Sequence, residues 1–118
     1  MITAGIDCGA RTIKALILRD GKALVKSSAL TGFDQPAAVE QAFQSALQQA
    51  NLAREKLEHI TATGIGRNVL LKASIADSEI TEVGADAKAA VFLFPAVRTV
   101  IDVGAEEGRA IRCEPDGR

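Results

Sequence analysis

The stretch AGIDCGARTIKALILRDGKALVKSSAL, Ala4 to Leu30, carries most of what the sequence says about its fold. Ile2 to Asp7 reads as a short buried strand that stops at Cys8-Gly9, and Ile13 to Leu18 reads as a second strand. Asp20-Gly21 is the two-residue signature of a tight hairpin, because both residues tolerate the positive φ angles that such a turn requires. Lys22 to Leu30 then returns as a third strand, so the chain opens with three antiparallel strands. The ending of the first strand is written again near the other end of the chain: GIDCGA at Gly5–Ala10 reappears as VIDVGA at Val100–Ala105.

Between these copies the pattern alternates helix and strand. Asp34 precedes Pro36 as a helix cap. Val39, Phe43, Leu47 and Ala50 recur at helical spacing, which predicts an amphipathic helix over 36–50 that Asn51 ends in the left-handed conformation. Ala53 to Leu57 is a turn and His59 to Thr63 a fourth strand, stopped by Gly64. Arg67 to Ala73 is a short helix, and Val83, Ala87, Val91 and Phe94 give a further helix ended by Pro95. Glu79 and Glu82 are expected to open that helix, where carboxylates meet the positive end of its dipole. Val97 to Val103 is a fifth strand, and Arg109 to Cys113 pairs back onto it across GAEEG. The order βββαβαβ plus a last strand predicts an α/β fold with a mixed sheet that is antiparallel at its start.

Composition narrows the function classes. The 118 residues hold one sizeable core, which must be aliphatic, since four Phe are the whole aromatic complement. A formal charge of −1 offers no basic face for nucleic acid, and the aromatic residues on which bases stack are scarce. No run approaches the ~20 apolar residues of a membrane span, and the first residues lack the basic and apolar regions of a signal peptide, so a cytoplasmic protein is expected. Cys8 and Cys113 form neither CxxC nor a Cys/His metal spacing, and read as reduced thiols within strands or at strand ends. His59 has no catalytic companion at a useful spacing.

The doubled Asp-x-Gly-Ala turn admits two readings. In one, Asp and Gly simply fill turn positions. In the other, each turn presents backbone N–H groups to phosphate oxygens, and each Asp orients a water of a hydrated Mg²⁺, a hard cation that keeps part of its water shell.

AGIDCGARTIKALIL…DGK, TATGIGRN at Thr61–Asn68 and AVRTVIDVGAEEGRAIR at Ala96–Arg112 resemble the ATPases of the benzoyl-CoA reductase and 2-hydroxyacyl-CoA dehydratase activator (BadF/BcrA-type) family, within the acetate kinase, sugar kinase, Hsp70 and actin superfamily. The resemblance covers essentially the whole chain, and TGxGRN is its more family-specific element. It implies two duplicated RNase H-like domains with ATP and Mg²⁺ in the cleft between them. Asp7 and Asp102 would be the catalytic residues that hold Mg²⁺ through water. Gly9, Ala10, Arg11, Thr12 and Lys14 would match the first phosphate motif, Gly104 and Ala105 the second, and Gly64, Gly66 and Arg67 the family block. Arg67 is read equally as a cleft-lining charge or as a surface ion-pair partner at a helix start.

The implied function is ATP hydrolysis coupled to low-potential electron transfer to a CoA-ester reductase or dehydratase component. A second ATPase subunit, a dimer and a shared [4Fe–4S] cluster accompany it in full-length relatives. The cluster is not expected on Cys8 or Cys113. Residues 1–96 would be the first domain, and 97–118 the opening hairpin of a second domain that continues in relatives. The sequence also departs from the family pattern. Arg11 replaces a small hydroxyl residue, where its guanidinium either clamps a phosphate or fills its space. Glu106-Glu107 replaces Gln-Asp, which makes the closing segment look more like a delta-type reductase subunit. Asp86 stands where a His is common. These departures favour, as an alternative, a non-catalytic assembly or regulatory domain of the same fold; a small-molecule kinase has no substrate motif to support it.

Overall fold

The computed structural model describes residues 1–104 and 108–118. The chain divides into two compact units, Met1–Ile80 and Thr81–Arg118.

The first unit is a five-stranded mixed sheet. Strands β1 (Ile2–Cys8), β2 (Thr12–Arg19) and β3 (Lys22–Leu30) are consecutive and antiparallel, while β4 (His59–Thr63) and β5 (Ser78–Glu79) run parallel to β1, giving the order β3-β2-β1-β4-β5. The β2–β3 turn is the one expected, with Asp20 at φ 51° and Gly21 at φ 78°. Helix α1 (Gln35–Ala50) carries the chain from β3 to β4, and a short helix α2 (Arg67–Lys72) carries it from β4 to β5. Because β1 and β4 are parallel neighbours, their carboxyl ends fall at one edge of the sheet. That edge is where open α/β sheets bind ligands.

Both ends of α1 follow from local chemistry. Asp34 accepts a hydrogen bond from the Ala37 N–H at 3.1 Å, and Asn51 closes the helix at φ 54°, ψ 46°. Ala38, Val39, Ala42, Phe43, Ala46 and Leu47 form one buried face, the stripe expected of a helix lying on a sheet. It packs with the inward residues of the strands, Ala4, Ile6, Ile13, Ala15 and Ile17, in one aliphatic core. The alternation along β2 is regular: Ile13, Ala15 and Ile17 are buried while Thr12, Lys14 and Leu16 face the other way. Phe43, fully buried, is the largest side chain in that core, and the Arg54 guanidinium lies 5.0 Å from its ring centroid.

The second unit is a helix and a hairpin. Helix α3 (Glu82–Leu93) is capped by Thr81, whose hydroxyl accepts from the Gly84 N–H at 3.1 Å, and β6 (Thr99–Val103) pairs antiparallel with β7 (Gly108–Arg112). Ala87, Ile111 and Cys113, with Val91, Val97 and Val100 around them, make a small core of their own. One expectation is corrected here. Glu79 does not open a helix but sits in β5, and the Asn68 amide, oriented so that its nitrogen donates, meets its carboxylate at 3.1 Å. A two-residue strand is too short to leave a periodic signal, which is why Ser78–Glu79 escaped the sequence reading.

Phe43→Ala would leave a void in the core between α1 and the sheet, whose strands are held in place by their ladder hydrogen bonds. The expected loss is about 3–5 kcal/mol, read as a lower midpoint in denaturant unfolding with an unchanged slope.

Candidate functional site

Asp7 is the penultimate residue of β1, half-buried on the sheet face away from α1. Its register partners are Lys14 on β2 and Thr63 on β4, so the three side chains share that face. The chain then turns through Gly9, Ala10 and Arg11 into Thr12. The Gly9 N–H closes this turn on the Thr12 carbonyl at 3.0 Å. Two of its carbonyls are tied inward by one residue: the Thr31 hydroxyl donates to the Gly9 oxygen and the Thr31 N–H to the Arg11 oxygen, both at 2.9 Å. Thr31 is 3% exposed and is the one buried polar residue among those described. With these carbonyls drawn toward the protein, Ala10 and Arg11 stand exposed at the tip of the turn. Sequence reading passed over Thr31, because a lone Thr before Gly32 reads as ordinary loop.

The Gly64–Arg67 segment leaves β4 beside this turn and explains the family block physically. The Gly66 N–H donates to the Cys8 carbonyl at 3.0 Å. Gly64 holds φ at +90°, and a Cβ there would fall 2.5 Å from the Cys8 carbonyl oxygen and 2.6 Å from Asp7 Oδ1. A Cβ on Gly66 would fall 2.3 Å from the Cys8 sulfur. The two glycines are therefore the condition for this loop to lie flat against the first turn. Arg67 turns back: its Nη1 donates to the Gly64 carbonyl at 2.9 Å and braces the same loop. Burial, reinforced by the Asp7 carboxylate, pushes the Cys8 thiol up, so it stays a neutral packing group.

In the second unit Asp102 lies on β6 and Gly104 directly follows the strand; Ala105, with Glu106 and Glu107, falls outside the described residues. Asp102 is the register partner of Arg109 on β7, and Arg109 reaches Glu82 of α3 at 2.8 Å. Asp86, one turn further along α3, makes a carboxyl–carboxyl hydrogen bond with Asp102. Burial, then that hydrogen bond and the charge of Asp102, raise Asp86 to about 6, against the pull of Arg109. Its Oδ2 is buried and has no hydrogen-bond donor among the described residues. In the sequence Asp86 stands out only as a departure from a family pattern; spacing alone gives no hint that it meets Asp102.

The donors gathered in each unit are oxygens, which suits Mg²⁺. Among the described residues no three His, Cys, Asp or Glu side chains converge. Cys8 and Cys113 do not fit an iron–sulfur cluster: each is buried, they belong to different units, and neither has a second thiolate beside it.

Residues 4–118 match the model of the BadF/BadG/BcrA/BcrD ATPase family, and the chain belongs to that family. The activator of lactoyl-CoA dehydratase from Anaerotignum propionicum is 38% identical over 120 residues, covering 99% of this chain and 44% of the activator. Component A of the Acidaminococcus fermentans (R)-2-hydroxyglutaryl-CoA dehydratase superposes with a TM-score of 0.90 at 34% identity, over 99% of this chain and 44% of its own. The Clostridium difficile activator of 2-hydroxyisocaproyl-CoA dehydratase, solved with bound ADPNP, gives a TM-score of 0.84 at 29% identity, over 100% and 43%. The chain thus spans less than half the length of these relatives, and its fold is theirs.

Two measurements check this geometry. Gly64→Ala and Gly66→Ala should each lower the unfolding midpoint sharply, by about 2 kcal/mol or more, since backbone and Cys8 atoms must move. Gly5→Ala, where an added Cβ meets nothing within 4 Å, should stay close to wild type. For Asp86 the folded protein holds the proton more tightly than the unfolded chain, whose value is near 3.8. The stabilisation is full below that value and disappears as pH rises through about 6. The unfolding temperature of Asp86→Asn should therefore gain on that of wild type between about pH 4 and pH 7, and a constant gap would contradict the raised value of Asp86.

Proposed function

We propose that this chain is the N-terminal, phosphate-gripping part of an ATPase that couples ATP hydrolysis to low-potential electron transfer into a CoA-ester reductase or dehydratase. The observation that carries the reading is the bracing of the end of β1 and the turn after it: Thr31 ties the Gly9 and Arg11 carbonyls, and the Gly64–Gly66 loop holds the Cys8 carbonyl just before them. That investment of two glycines and a buried threonine in one exposed tip suits a rigid cradle for phosphate. Family membership and the ADPNP held by a relative support the nucleotide.

In this reading Gly9, Ala10, Arg11, Thr12 and Lys14 receive phosphate in the first unit, with Gly64, Gly66 and Arg67 bracing them, and Gly104 and Ala105 do so in the second. Asp7 and Asp102 hold waters of a Mg²⁺ ion, which when bound would screen the phosphate charge. Nucleotide binding would favour one arrangement of two duplicated domains, the first ending near residue 96, and that arrangement would be the one that docks the partner. The partner is the reductase or dehydratase component, reached by a dimer or with a second ATPase subunit. Both cysteines are free thiols, which suits a cytoplasmic setting.

The test is Mg²⁺–ATP affinity in the full-length protein. Asp7→Ala and Asp102→Ala should each weaken it by about tenfold or more, roughly 1.4 kcal/mol, with the fold retained by circular dichroism. Unchanged affinity in both variants would remove the phosphate assignment.

A further inference from the structure

Along the face of the sheet that carries Asp7, β4 presents His59, Thr61 and Thr63. The first two are satisfied by β5: His59 Nε2 and the Ser78 hydroxyl lie 2.8 Å apart, and the Thr61 and Ser78 hydroxyls 3.2 Å apart. Strand β5 pairs only as far as Ala62 with Glu79, and the next residue along is Ile80. Thr63 therefore has no polar side chain opposite it on that flank. Its Oγ1 is buried and without a hydrogen-bond partner among the described residues. A buried hydroxyl in that state is destabilising, and valine would fill the same space without the cost.

On its other flank Thr63 has Asp7. The two are register partners on adjacent parallel strands, about 5 Å apart at the backbone. The Asp7 carboxylate leans in that direction, with Oδ1 2.6 Å from the point where Gly64, the residue after Thr63, would carry a Cβ. A carboxylate that takes up a water of a hydrated cation must commit one oxygen to it and has lone pairs to spare on the other. A hydroxyl at the next register position is the donor able to fix that choice.

We propose that Thr63 is a positioning residue for Asp7: its hydroxyl donates to the carboxylate when Asp7 engages hydrated Mg²⁺ on a bound nucleotide. The inference rests on the phosphate reading above and deepens it. The orphaned hydroxyl in the unliganded molecule is then the resting half of a hydrogen bond completed on binding.

The experiment compares Thr63→Val, Thr63→Ser and Asp7→Ala in the full-length protein, by unfolding temperature and by the Mg²⁺ concentration that half-saturates nucleotide binding. Valine removes the orphan, so the unfolding temperature should hold or rise, while the Mg²⁺ requirement should increase about tenfold, as for loss of a partner that orients a metal's ligand. Serine restores the hydroxyl and should stay within about twofold of wild type on the same scale. A Thr63→Val protein with a wild-type Mg²⁺ requirement, beside an Asp7→Ala protein that has lost it, overturns the proposal and leaves the phosphate reading intact. Wild-type behaviour in both overturns the two together. A serine variant as impaired as valine also overturns it, since shape and not the hydroxyl would then matter.

Discussion

The contact on which the first unit's candidate site depends is backbone against backbone: the Gly66 N–H on the Cys8 carbonyl, with Gly64 pressed on the same carbonyl. It ties the carboxyl ends of two parallel strands, β1 and β4, that are otherwise joined only through their ladder. A turn at the end of one strand would have a free hand in where it points. Anchored to its neighbour through groups that cannot rotate, it has one position. The anchoring is possible because side chains are absent at 64 and 66, and because Arg67 holds the Gly64 carbonyl in place. Thr31 completes the clamp from the far side. Rigidity at the tip of this turn is thus built from hydrogen bonds to its carbonyls, leaving its exposed residues facing outward.

How far the sequence disclosed this can be judged residue by residue. Long periodic elements were legible: β3 and α1 fall within a residue of their expected bounds, because alternation and the Asp34–Asn51 caps are local signals. The turn of the first Asp-x-Gly-Ala copy was legible for the same reason. What stayed hidden depends on partners distant in sequence. Thr31 bonds back to residues 9 and 11, Asp86 meets Asp102, and Glu79 belongs to a strand recruited by β4 rather than to a helix. Gly64 and Gly66 were conspicuous in the sequence, yet their reason is the Cys8 carbonyl and sulfur, which only the sheet order brings beside them.

The two copies of the repeated turn, alike in sequence, are held by different physics. The first is set by main-chain contacts from β4 and from the loop before α1, whose strength scarcely depends on pH or salt. The second Asp is set among ionisable neighbours: Asp86, which its charge helps to raise, and Arg109, its cross-strand partner, which is engaged by Glu82. A carboxyl pair of this kind is comfortable only while it holds a proton or faces a cation, because two adjacent carboxylates repel strongly in a partly desolvated place. The cation this pair faces is Arg109, whose pull on Asp86 opposes the burial and the Asp102 charge that raise it to about 6. The same motif is therefore held by main-chain contacts in one unit and set among ionisable groups in the other.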